Sequence, residues 1–137
     1  MNVKELMKRF LEEEGFKYEW DEEGVSFKFQ GLRINVLFYD NMDYLLSLAV
    51  SYGVEDLPRY VVLDLCNELN QTSVLKHYLI DDDTLVVLFD EFKTEVEVSN
   101  ESVMENLELL VRGAIACRDR MNELTSYLSH PASKTVN

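Results

Sequence analysis

The residues of this sequence that could do chemistry are two cysteines, two histidines and several clusters of carboxylates. A catalytic thiol needs an oriented base beside it, and a zinc site needs about four nitrogen or sulfur ligands. Cys66 and Cys117 have no histidine near them at ligand spacing, and His77 and His130 stand far apart. His77 could meet either thiol in space, but the sequence gives no support for that pairing. Asp81, Asp82 and Asp83 offer the oxygens that calcium prefers. On EF-hand spacing, however, Leu85 takes the fifth position and Phe92 the twelfth, where ligands are required. A solvated turn accounts better for this run, and the acidic turn from Asp21 to Gly24 reads the same way. Gly15, Gly24, Gly31, Gly53 and Gly113 are isolated, so no glycine-rich loop cradles a phosphate. No catalytic residue, metal or cofactor is expected, and the chain reads as non-enzymatic.

Asn67 and Asn70 form a second kind of candidate, a polar site three residues apart on one helix. They could hydrogen-bond a ligand or a partner's backbone. The local account is favoured: Asn70 caps the end of the helix, while Asn67 satisfies the backbone of the adjoining loop.

These residues must be positioned by regular elements, and the periodicity is clear enough to place them. Val3, Leu6, Met7, Phe10 and Leu11 recur at helical spacing opposite a charged face. Asn2 and Glu5 make a capping box, and Gly15 supplies the left-handed stop. Strands are predicted over Phe16–Trp20, Val25–Phe29, Leu32–Tyr39 and Tyr44–Tyr52, joined by turns too short for anything but antiparallel neighbours. A second helix runs from Asp56, Leu57 and Pro58 to about Asn70, with Asp56 as its cap. It is apolar on most sides, which predicts a buried helix. A hairpin follows, Val74–Ile80 and Leu85–Phe92. The last helix starts between Asn100 and Ser102, with Ser102 and Glu105 as capping box, and ends near Leu128. It would be about 40 Å long, longer than a typical strand of roughly 17–20 Å. The fold class is therefore α+β, an antiparallel sheet with helices packed on it in the order α-β-β-β-β-α-β-β-α. Residues 1–128 form a single domain, and 129–137 a flexible C-terminal tail.

Charge narrows the partners. Thirteen basic residues against 26 acidic ones give a net charge of −13, which repels phosphate backbones, so nucleic acid is excluded. No apolar run approaches the roughly 18 residues needed to span a bilayer, and the first residues lack a signal-peptide core. Two cysteines in apolar stretches suit a reducing compartment, and a cytoplasmic location is expected.

The stretch Leu65-Cys66-Asn67-Glu68-Leu69-Asn70, followed by the hairpin from Lys76 to Phe92, resembles the YbjN-like family, with the element order and acidic character matching from about Val3 to Leu128. That family is similar in fold to the type III secretion chaperones. The resemblance implies an α+β fold, a homodimer and a regulatory role without a defined biochemical activity. The chaperones themselves are non-enzymatic and hold partly unfolded segments of partner proteins. Nothing in the sequence names a secretion substrate.

On the last helix Gly113, Ala114, Ala116 and Cys117 make a small-residue patch, and Leu110, Gly113, Ala114, Cys117 and Met121 are the candidate stripe around it. It packs on the chain's own sheet or forms a dimer or partner surface. Tyr39, Tyr44, Tyr52 and Tyr78 are further contact candidates. The function expected is protein binding or chaperone-like regulation; the alternative is a small-molecule-sensing domain with a pocket between the sheet and the second helix.

Overall fold

Asn2 opens the first helix as its spacing predicts, its Oδ1 accepting from the Glu5 N–H at 2.8 Å. The computed structural model describes residues 2–94 and 99–129. Its elements are α1 (Val3–Glu13), β1 (Tyr18–Trp20), β2 (Gly24–Phe29), β3 (Leu32–Leu37), β4 (Leu45–Gly53), α2 (Arg59–Thr72), β5 (Lys76–Ile80), β6 (Thr84–Phe92) and α3 (Asn100–Leu128). The element order and α+β class are those read from the sequence. Apart from Ser129, the tail, with His130, lies outside the described residues.

All six strands form one antiparallel sheet in the order β1-β2-β3-β4-β6-β5. Gln30 and Gly31, both at positive φ, make the tight turn between β2 and β3. β4 and β6 are the long central pair, in register from Leu45 opposite Phe92 to Gly53 opposite Thr84. The helix α2 and the short β5 are therefore inserted between two strands that end side by side.

Alternation sorts the strands into two faces. Val25, Phe27, Ile34, Val36, Leu46, Leu48, Val50, Leu85, Val87 and Phe89 point one way and join the buried stripes of α1 and α3 in one core. Ala49, Val86 and Leu88 point the other way and form a separate small cluster that no helix joins. All three helices thus lie on one side. Tyr52 ties that layer down, its hydroxyl donating to the Ala114 carbonyl at 2.7 Å.

Three local expectations need correction. α2 begins at Arg59 after Pro58, with no side-chain cap, and Asp56 does not serve as one. Val54 and Leu57 are buried and joined by a backbone hydrogen bond, so the chain turns there before the helix can start. α2 is also not a buried helix: only Val62, Leu65 and Cys66 are buried, and Tyr60 is 67% exposed. Its apolar excess points outward because one side of it already suffices to cover the sheet's flank. Finally, Ser99 caps α3 by accepting from the Ser102 N–H at 3.1 Å. Ser102 lies inside the helix, and its Oγ receives the buried Lys93 ammonium at 3.0 Å.

Gly24 is where the sheet is tightest. A Cβ there would lie 1.8 Å from the Val36 carbonyl oxygen and 2.9 Å from its carbon, both backbone atoms of the β2–β3 pair. Gly24→Ala should therefore cost about 2 kcal/mol or more, read as a lowered urea midpoint; an unchanged midpoint would show that the strands are not so closely held.

Candidate functional site

The sheet face without helices is concave. The β1–β2 turn on one side and edge strand β5 on the other line a single hollow of about 260 Å³, with Asp21, Glu23, Asn35, Ala49, Tyr78 and Val86 among its residues. Small or polar residues pave the face: Ser26, Asn35, Ser47, Ala49 and Ser51 are neighbours by register. Around them stand large apolar side chains open to solvent, Tyr39, Tyr78, Ile80 and Phe92, the last 67% exposed. Ser47 sits opposite Asp90. Lys76 Nζ donates to Asp90 Oδ2 at 3.3 Å, but Asp90 Oδ1 and Ser47 Oγ have no partner among the described residues. Burial, then Tyr39 and Asp90 nearby, raises the Tyr78 hydroxyl's pKa. This face combines exposed apolar side chains with a floor of small and polar residues, a surface that suits a bound segment.

A larger hollow of about 570 Å³ adjoins it through Asp21, Glu23 and Gly24. Trp20 and Phe38 stack there with ring centroids 5.8 Å apart, and Lys4 Nζ lies 6.0 Å from the Trp20 centroid. Its rim also carries Asp40 and Asp43. Asp21 Oδ1 accepts from the Glu23 and Gly24 N–H groups, so the solvated-turn reading of this acidic run describes its local structure. Sequence reasoning misses Trp20, Phe38 and Asp90: Trp20 stacks on Phe38 just beyond β3 on the helix side of the sheet, and the β4–β6 register carries Asp90 to the opposite face.

The other edge of the site is closed by Asn70. Its Oδ1 accepts from the His77 N–H at 2.7 Å and its Nδ2 donates to the His77 carbonyl at 2.9 Å. A side-chain amide on α2 thus fills the outward backbone valence of β5, as a neighbouring strand would. His77 Nδ1 lies 3.0 Å from the same Oδ1. Asn70 does not cap its own helix; Ser73 ends it, its N–H donating to the Leu69 carbonyl. Asn67 is exposed, so the two asparagines do not form a joint site.

The stripe on α3 faces inward. Leu110, Ala114 and Cys117 are fully buried in the chain's own core and Met121 nearly so. A Cβ on Gly113 would lie 2.0 Å from Leu75 Cδ1, so this glycine lets the loop before β5 reach the helix. Of the tyrosines, Tyr39, Tyr44 and Tyr78 are exposed, whereas Tyr52 is half-buried and committed to α3. Cys66 and Cys117 are buried free thiols; burial pushes Cys117 up to about 12 and Cys66 upward as well. Neither has the electropositive, accessible setting of a reactive thiol. Among the described residues no group of three or more His, Cys, Asp or Glu could hold a metal ion, and no helix is long and apolar enough to cross a membrane. The hollow that α2 lines, through Val61 and Leu65, lies against Arg120 and Leu124 of α3, not against the sheet where a ligand pocket was expected.

Three outcomes test this geometry. Asn70→Ala strands the His77 N–H and carbonyl and should cost about 1–3 kcal/mol in urea unfolding. Burial lowers the His77 pKa from 6.5, the Leu75 backbone opposing it, so the unfolded chain takes up that proton more readily. The stability this contributes is complete above about pH 6.5 and declines as pH falls through the lower folded pKa, by at most ~1.4 kcal/mol per unit. His77→Leu should flatten that limb; an identical pH profile would remove His77 as its source. Thiol modification should track global unfolding, and rapid labelling of the native protein would contradict the burial of both cysteines.

Comparison with known proteins sets this geometry in context. The sequence matches no curated protein. An uncharacterized protein from Methanothermobacter thermautotrophicus is similar in structure with a TM-score of 0.66 at 15% identity, over 89% of this chain and 98% of that one. YbjN from E. coli, described as "a putative transcription regulator", is similar with a TM-score of 0.63 at 13% identity, over 85% and 91%. At these identities the likeness is one of fold. The model of the YbjN family, described as "Putative bacterial sensory transduction regulator", matches residues 4–123, and the chain belongs to that family.

Proposed function

We propose that the chain is a non-enzymatic regulatory module that holds a basic, partly apolar segment of a partner protein on the uncovered face of its sheet. The observation that carries this reading is the face itself: exposed Tyr78 and Ile80 line a hollow whose rim bears Asp21 and Glu23, and Tyr39 and Phe92 add exposed apolar surface beyond it. Apolar contact supplies affinity in such an arrangement, and the carboxylates select a cationic partner and speed its arrival. A face is favoured over an edge because Asn70 already occupies the middle of β5, and β1 is only three residues long. The family's description as a sensory transduction regulator supports a regulatory role.

The homodimer implied by the fold resemblance would need a surface other than the α3 stripe, which is consumed within the chain. A cytoplasmic setting fits two buried free thiols.

Affinity capture with the tagged chain tests the docking reading. Tyr78→Ser and Phe92→Ser should each cut recovery of a near-stoichiometric partner about tenfold, while Tyr60→Ser, on the outer side of α2, leaves it unchanged. Raised salt should weaken the same complex. A partner retained equally by all three variants would place docking elsewhere. Light scattering at tens of micromolar decides the dimer: a strictly monomeric mass excludes it.

A further inference from the structure

The chain's few cations are not evenly spread. Where it leaves α1 through Gly15 and enters β1, a hollow of about 460 Å³ opens beside the β1–β2 pair. Three of the 13 basic residues line it, Lys17, Lys28 and Arg33, against a single acid, Glu19. Register sets Lys28 opposite Arg33 on neighbouring strands. Arg33 is oriented by a bond from Nη2 to Ser26 Oγ at 2.9 Å and touches Glu19 only at 4.0 Å, with its side chain 63% exposed. Lys17 and Lys28 pair with no carboxylate among the described residues. Lys28 and Arg33 face one another across the strand pair with only Glu19 among the described residues, 4.0 Å from Arg33, to balance them. They repel one another, and a multiply charged anion placed between them would relieve that repulsion.

We propose that this hollow binds a phosphoryl-bearing small molecule, with its oxygens on Lys17, Lys28 and Arg33. The guanidinium keeps donors free for a forked contact with two oxygens of one phosphoryl group, and the ammoniums neutralise the rest. Phe16, Tyr18 and Phe27 also border the hollow but pack with the core side of the sheet, so the ligand is held chiefly by the cations. The volume lies within the usual range for small-molecule sites. Net charge decides against a polymer: a nucleic acid meets the whole field of −13. A compact ligand, by contrast, feels mainly the cations within a Debye length of roughly 8–10 Å. This hollow lies toward β1 on the same face and shares no lining residue with the docking hollow, so it stands whether or not a protein partner binds there.

Amide NMR titration of the whole chain in phosphate-free, low-salt buffer tests it, with pyrophosphate and ADP as separate probes. Saturable shifts confined to residues 15–19 and 26–33, weakened about tenfold for each of Lys17→Gln and Lys28→Gln, support the site. Tighter binding of ADP would assign it to a ring-bearing ligand, and equal binding to free polyphosphate. Absence of saturable shifts at millimolar probe overturns it, as do shifts that the two lysine variants leave unchanged. Both lysines are exposed, so a matching urea midpoint certifies that the variants remain folded.

Discussion

Confinement of every helix to one face of the sheet is the constraint on which the rest of this molecule depends. It follows from strict alternation in β2, β3, β4 and β6, which sends Phe27, Ile34, Leu48 and Val87 to the same side. α1 and α3 offer matching apolar stripes and nothing comparable on their outer sides. Once that layer is filled, no helix among the described residues is left to cover the opposite face. What would be core in a three-layer protein is here a concave surface floored by serine, asparagine and alanine. The candidate binding properties of the molecule are a by-product of its two-layer economy.

The same constraint explains what could be read in advance. α1, its Asn2 cap, the meander and the inward stripe of α3 depend on local spacing, and the sequence carries local spacing directly. α2 was misjudged because a run such as Tyr60, Val61, Val62, Leu63 records how apolar a helix is, not how much of the sheet remains for it to cover. Asn70 was read as a cap because its neighbours in sequence suggest one. Its true partner, His77, becomes adjacent only when β5 folds back alongside α2. The cap of α3 lies three residues earlier, at Ser99, and Ser102 Oγ accepts from Lys93 just past β6, a long-range contact that no spacing rule contains.

Charge distribution repeats the lesson on a larger scale. Taken as a total, −13 predicts repulsion of any polyanion. Placed in space, the acids Asp21, Glu23, Asp40 and Asp43 gather at one end of the fold, while Lys17, Lys28 and Arg33 gather beside β1. In sequence the two groups interleave, and only the hairpin geometry separates them. The similarity to YbjN of E. coli at 13% identity fits this picture: alternation and stripes preserve a fold through almost complete replacement of the side chains that decorate it.

The β4–β6 register has a consequence for the chain as it is made. β6 enters the sheet between β4 and β5, so β4 has no partner on that side until residues 84–92 have left the ribosome. Six consecutive residues of β4, Leu45 to Val50, are buried in the finished protein. At synthesis rates of roughly 5–20 residues per second, that strand waits on the order of seconds with its apolar row and open ladder exposed. Nascent chains on neighbouring ribosomes could pair there, which makes this interval, more than the stability of the completed fold, the vulnerable stage in the life of the molecule.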